Sequence, residues 1–89
     1  MYYVYVLQSE TTKRYYTGHS AYPEQRVGQH NNGVSKSTKN RGPWKLVYQE
    51  GFSTRAEAMR REKFLKSGQA REQLGELINF WLGRKQTNS

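Results

Sequence analysis

The segment Tyr2-Tyr3-Val4-Tyr5-Val6-Leu7 is apolar or aromatic at every position and rich in β-forming residues. A strand with one wet face alternates polar with apolar residues. This run does not, so it reads as a central strand buried on both faces. The cover for both faces has to come from a chain of 89 residues. That length suits one domain, burying about 60–65% of the surface its unfolded form exposes.

Downstream, Gln8 to Lys13 is polar and turn-like, and Arg14 to His19 reads as the antiparallel partner of the first strand. Gly18 marks its end, at a point of close backbone approach or unusual dihedral. Pro23 suits the first turn of a helix from about Tyr22 to Asn32, which Gly33 stops. From Gly33 to Pro43 the only large apolar side chain is Val34, so the segment reads as an exposed loop. Trp44 to Glu50 resumes a strand pattern. Thr54-Arg55-Ala56-Glu57 is a capping box opening a helix that reaches Lys66 and breaks at Ser67-Gly68. Leu74, Leu77, Ile78, Trp81 and Leu82 then mark one face of a last helix. The expected fold is α+β: a small three-stranded, mainly antiparallel sheet flanked by helices, in the order β-β-α-β-α-α. Residues 1–82 would form the domain and 83–89 a polar, frayed tail.

Fifteen Lys and Arg against seven acids leave a formal net charge of +8, which favours a polyanionic partner. All seven acids are glutamates, so the Asp-rich two-metal arrangement of many nucleases is hard to build. The chain has no cysteine, which excludes disulfides and thiolate-held zinc. Its first residues lack the basic start of a signal peptide, and no apolar run approaches the roughly 18–20 residues that span a bilayer. These features suggest a soluble cytoplasmic protein with no membrane partner; its oligomeric state is not specified by the sequence.

Five residues carry chemistry that belongs together. Tyr5 and Tyr16 sit on the two arms of a short hairpin that can set their phenols side by side. Taken alone, each is a core aromatic with its hydroxyl bonded. Arg26 and His30, at i and i+4, project from one helix face and suit phosphate contact and proton transfer, or else a solvated basic surface. His19 competes with His30 for the proton-transfer role. A zinc site on the two histidines would lack any Cys or helical His pair. Glu62 falls inside the apolar arc of its helix, between Leu65 and Ala58 on one side and Met59 on the other, whereas Glu57 lies outward and can pair with Arg61. A carboxylate so placed needs a positive partner: a salt bridge to Lys or Arg, or a divalent cation. Both options stay open.

Taken in order, Tyr3-Val4-Tyr5, Tyr16-Thr17-Gly18, Arg26 in Glu24-Gln25-Arg26, His30-Asn31-Asn32-Gly33, Gly42-Pro43-Trp44-Lys45-Leu46-Val47, Glu62 in Arg60-Arg61-Glu62-Lys63, and Leu65-Lys66-Ser67-Gly68 resemble the GIY-YIG nuclease superfamily, in particular its small stand-alone bacterial members. The likeness runs from Tyr2 to about Arg71. It implies a metal-dependent endonuclease that hydrolyses DNA phosphodiesters, with branched or damaged forms as candidate substrates. One divalent ion, Mg²⁺ or Mn²⁺, would sit on Glu62. Arg26 would position the scissile phosphate, Tyr5 would take the proton of the attacking water with help from His30, and Tyr16 would orient water or phosphate. The chain departs from the pattern in two places. Tyr3-Val4 stands where the name motif has Gly-Ile. The family asparagine beyond the metal glutamate has no matching motif, Asn79 and Asn88 being the only candidates. Larger members add DNA-binding domains, so target selection here would fall to the domain itself or to a protein partner. The alternatives are a catalytically weak nucleic-acid-binding module of the same fold, and a scaffold or regulatory subunit. An active site further requires Tyr5, Tyr16, Arg26, His30 and Glu62 to converge on one concave face, within about 10 Å of a common point.

Lys36, Lys39 and Arg41, in a stretch with nothing to bury, are candidate phosphate contacts. Three such contacts contribute roughly −2.7 to the slope of log K against log salt on duplex DNA, at about −0.9 each. Replacing all three by Ala should flatten the slope by that amount, weaken binding alike on every sequence and leave the melting temperature unchanged. An unchanged slope would move the basic footprint to Arg55, Arg60, Lys63 and Lys66.

Overall fold

A computed structural model describes residues 1–33 and 42–87. Lys36, Lys39 and Arg41, most of the expected loop and Asn88 lie outside the described residues. The elements are β1 (Tyr2–Ser9), β2 (Tyr15–Ser20), α1 (Pro23–Asn31), β3 (Trp44–Phe52), α2 (Arg55–Lys66), a 3₁₀ turn (Gly68–Ala70) and α3 (Arg71–Thr87). The strands form one sheet in the order β2-β1-β3, with both pairings antiparallel. The α+β order β-β-α-β-α-α is therefore the observed one.

β1 is the central strand, and its alternation divides the interior in two. Val4 and Val6 are fully buried in a core with Val47, Tyr48, Ala58, Leu65, Ala70, Leu74 and Ile78, so α2 and α3 cover that face. Tyr5 and Leu7 point the other way, into a smaller cluster with Trp44, against which Tyr16, Val27 of α1 and Leu46 pack. The sheet is thus covered on both sides, as the unbroken apolar run demands. In β3 the register slips: Val6 faces Tyr48 while Leu7 faces Leu46, so Val47 bulges out of the ladder. The bulge turns two successive residues, Val47 and Tyr48, into the larger core and sends Leu46 and Trp44 to the smaller one.

Local chemistry fixes the connections. Ser9 Oγ accepts from the amides of Thr11 and Thr12 at 3.2 and 3.0 Å, and Lys13 adopts a left-handed φ of 65° to close the first hairpin. Gly33, at φ 74°, follows α1 in the conformation that glycine adopts most cheaply. Thr54 caps α2, accepting from the Glu57 amide at 3.2 Å while its hydroxyl donates to the Glu57 carboxylate at 2.9 Å. The hydroxyl occupies Glu57, and Arg61 pairs instead with Glu50 of β3, at 3.2 Å. The Arg61–Glu57 pair expected on the outer face is corrected accordingly. Tyr48 also donates to Glu50, and burial together with that bond pushes its phenol up to about 12. This network ties α2 to β3. Met59, expected at the edge of the apolar arc, is half exposed.

Two segments run longer than their sequence signals. β2 passes through Gly18 to Ser20, and α3 continues through Gly83 to Thr87, into the stretch expected as a frayed tail. A helical glycine costs about 1 kcal/mol against alanine, and the packed turns before it can carry that cost.

The end of α1 is fastened to the start of β3 by one side chain. Asn31 Oδ1 accepts from the Trp44 amide at 2.6 Å, and its Nδ2 donates to the Trp44 carbonyl at 2.9 Å. The carboxamide thereby supplies both halves of a strand-like pair. Asn31→Ala should cost about 1–2 kcal/mol by denaturant melting, two hydrogen bonds at their usual net contribution, and Asn31→Asp should lose the donated half. Wild-type stability in both variants would mean that water replaces the clamp without loss.

Candidate active site

The site starts from a missing side chain. Gly18 pairs with Tyr5 across the hairpin, and the Tyr5 ring lies over it. A Cβ at Gly18 would sit 2.7 Å from Tyr5 Oη and 3.1 Å from the edge of the Tyr16 ring. Close approach, rather than an unusual dihedral, is what this glycine provides. Tyr16 pairs with Leu7 and so shares the face of Tyr5, and the two ring centroids are 6.4 Å apart.

α1 crosses this face and supplies the next groups. His30 lies 4.6 Å from Tyr16, centroid to centroid, with its Nε2 3.4 Å from Tyr5 Oη. Arg26, one turn earlier, donates to Gln29 at 3.1 Å, and no described carboxylate pairs with it. Burial, with Tyr16 alongside, pushes the Tyr5 phenol up to about 12 against the opposing pull of Arg26. Burial and then the Arg26 charge hold His30 below its ordinary value. At neutral pH the pair is therefore a protonated phenol beside an uncharged imidazole.

Glu62 arrives from the other side. α2 packs on the opposite face of the sheet from α1, yet the Glu62 carboxylate borders the same cleft, and its charge is felt at Tyr5. α1 and α2 lie on opposite faces of the sheet, and the five groups border one concave cleft along the β2 edge, one of the sheet's two edges. The cleft measures about 400 Å³ and is lined by Tyr5, Tyr16, Gly18, His19, Arg26, Gln29, His30 and Glu62. All five residues singled out by sequence border it.

Neither oxygen of Glu62 is idle. His19 Nδ1 lies 2.6 Å from Oε1, and Lys66 Nζ donates to Oε2 at 2.8 Å. Burial alone would push the carboxyl up, but the bonds from Lys66 and His19 outweigh it and hold Glu62 below the ordinary carboxylate value. An ionised carboxylate only accepts, so the proton of the short contact sits on His19 Nδ1. The two histidines thus serve different partners. Among the described residues no group of three or more His, Cys, Asp or Glu could hold a metal ion. The donor set fits a hard cation that keeps most of its waters and takes one carboxylate, provided that Lys66 yields its place on Oε2. Gln29 was not singled out by sequence, although its i+3 spacing from Arg26 brings it onto the same surface. Asn79 is exposed on α3 and does not border the cleft.

Gly18→Ala tests the contact on which this arrangement depends. The sheet should stay paired, at a cost of about 1–3 kcal/mol for the overpacked ring. Tyr5 should move away from His30, seen as changed ring resonances for both, and any cleavage should fall by about 10²-fold for a displacement near 1 Å. Unaltered resonances at full stability would show that the contact yields.

Residues 1–74 match the model of the GIY-YIG catalytic domain. The chain is 42% identical over 73 residues to a UPF0213 protein of Staphylococcus haemolyticus, covering 81% of this chain and 88% of that one. It is 43% identical over 68 residues to a UPF0213 protein of Halobacterium salinarum, covering 74% and 86%. The solution NMR structure of a UPF0213 protein from Bacillus halodurans superposes with a TM-score of 0.53 at 37% identity, covering 86% of this chain and 85% of that one. With the family model matching most of its length and relatives of this identity covered nearly end to end, the chain belongs to the GIY-YIG nuclease family.

Proposed function

We propose that the chain is a divalent-metal-dependent endonuclease that hydrolyses phosphodiester bonds in DNA, branched or damaged forms being candidate substrates. The observation that carries this is the composition of one cleft: two phenols, two imidazoles, a guanidinium with no carboxylate partner among the described residues, and a single carboxylate. When bound, Mg²⁺ or Mn²⁺ would be held by Glu62 and would supply positive charge for the leaving oxygen. Arg26 is free to take two oxygens of the scissile phosphate. Tyr5, pushed up to about 12, keeps its own proton at neutral pH and accepts one from water only by giving that proton up. The acceptor in reach is His30 Nε2 at 3.4 Å, and His30 is uncharged. The water proton therefore passes to Tyr5 Oη as the phenolic proton passes to His30. Tyr16, beside both, orients the water or the phosphate.

The engagement of both Glu62 oxygens favours a second reading, a nucleic-acid-binding module of the same fold in which Glu62 is a structural ion pair. An assay on single-stranded, duplex, flap and junction DNA with Mg²⁺ or Mn²⁺, run beside Glu62→Gln, separates the two. The nuclease should cut at least one of these DNAs, and Glu62→Gln should lower cutting by at least ~10²-fold as the electrostatic contribution to the transition state is lost. Its DNA affinity should hold or rise slightly. Joint loss of folding and binding in Glu62→Gln would favour the structural ion pair.

A further inference from the structure

The two partners of Glu62 are not equivalent. His19 lies on a strand and its side chain is 21% exposed, whereas Lys66 is 52% exposed, at the end of a four-carbon stem in the last turn of α2. Lys66 also lines a second groove, of about 800 Å³, together with Arg14, Tyr15, Thr17 and Ser67. That groove adjoins the cleft, since Tyr16 borders both. Arg14 has no side-chain ion pair or hydrogen bond to a described residue, so among the described residues its charge in the groove is uncompensated. Lys66 therefore stands in one cavity while its ammonium reaches the carboxylate of the next.

We propose that Lys66 is a phosphate-binding residue held in reserve by Glu62: a divalent cation arriving at the carboxylate displaces it, and it then joins Arg14 on a nucleic-acid phosphate in the adjacent groove. This rests on the reading of Glu62 as the carboxylate that holds the cation. The physical reason is competition. Oε2 cannot serve the ammonium and a divalent ion equally, and the two positive charges repel at such range. A phosphate offers the displaced ammonium a new partner at little conformational cost. Binding is then reciprocal, the cation tightening nucleic acid and nucleic acid tightening the cation.

The test measures Mn²⁺ binding to the full chain from the free-ion paramagnetic resonance signal, with and without a phosphorothioate-substituted duplex that resists cutting. Lys66→Met keeps the stem and removes the charge, and Lys63→Met makes the same change in net charge beside the site. Without DNA, Lys66→Met should bind Mn²⁺ roughly two- to five-fold tighter than the wild type, the scale of a half-exposed ion pair. Lys63→Met should match the wild type. In the wild type, Mn²⁺ should steepen the salt slope of duplex binding by about 0.9, one added phosphate contact, and in Lys66→Met it should not. Unchanged Mn²⁺ affinity in Lys66→Met, equal tightening in Lys63→Met, or a slope change that survives the loss of Lys66 would each overturn the proposal. Glu62→Gln distinguishes the failures. If it loses Mn²⁺ binding, the carboxylate reading stands whatever Lys66 does; if it binds like the wild type, that reading falls and the Lys66 proposal with it. Circular dichroism melting confirms that each variant is folded.

Discussion

Burial of β1 on both faces is the constraint from which the rest follows. Its even residues, Val4 and Val6, belong to the core under α2 and α3, and its odd residues, Tyr5 and Leu7, to the cluster under α1. One strand therefore holds the fold together and plants the phenol of the cleft. Tyr5 cannot be moved without disturbing packing, and packing fixes where its hydroxyl lies. The same burial sets its acidity, since the water that would solvate a phenolate is excluded. Burial thus fixes the position of the phenol and is the largest contribution to its protonation state.

The architecture was legible because the signals were periodic or local. The unbroken apolar run placed β1 at the centre, Thr54 and Glu57 marked the start of α2, and the stripe from Leu74 to Leu82 fixed the buried face of α3. These signals depend on neighbours along the chain. What could not be read depends on neighbours in space. The Val47 bulge is a property of the pairing of β3 with β1, and an isolated strand pattern does not show it. Arg61 had two glutamates in reach, and the cap took one of them away. Met59 fell at the edge of the helix's apolar arc, but it joins neither core cluster and is half exposed.

The cleft followed the same division. Arg26 and His30 share a helix face, so spacing alone brought them together. Glu62 was marked by its position among apolar residues, but the open choice between ion pair and cation turned on partners that spacing cannot supply. Lys66 is a neighbour along the helix; His19 comes from the edge strand, at a separation of 43 residues. Sequence called for one concave face, and the cleft that the five groups border lies around an edge of the sheet. A cleft on a sheet edge can draw side chains from both layers, which lets so small a domain assemble five chemical groups without hollowing either core.

The Asn31 clamp has a further consequence for how this domain can change over evolution. Asn31 and Trp44 are held to one another whatever the length of chain between them. Once two ends are fixed together, the entropy of closing the intervening segment grows only logarithmically, by about 0.6 kcal/mol for each doubling of length. Insertions, deletions and substitutions there leave α1 and β3 in register, and with them Arg26, His30 and Tyr5. Sequence change between Asn31 and Trp44 therefore leaves the packing of Tyr5 against His30 in place.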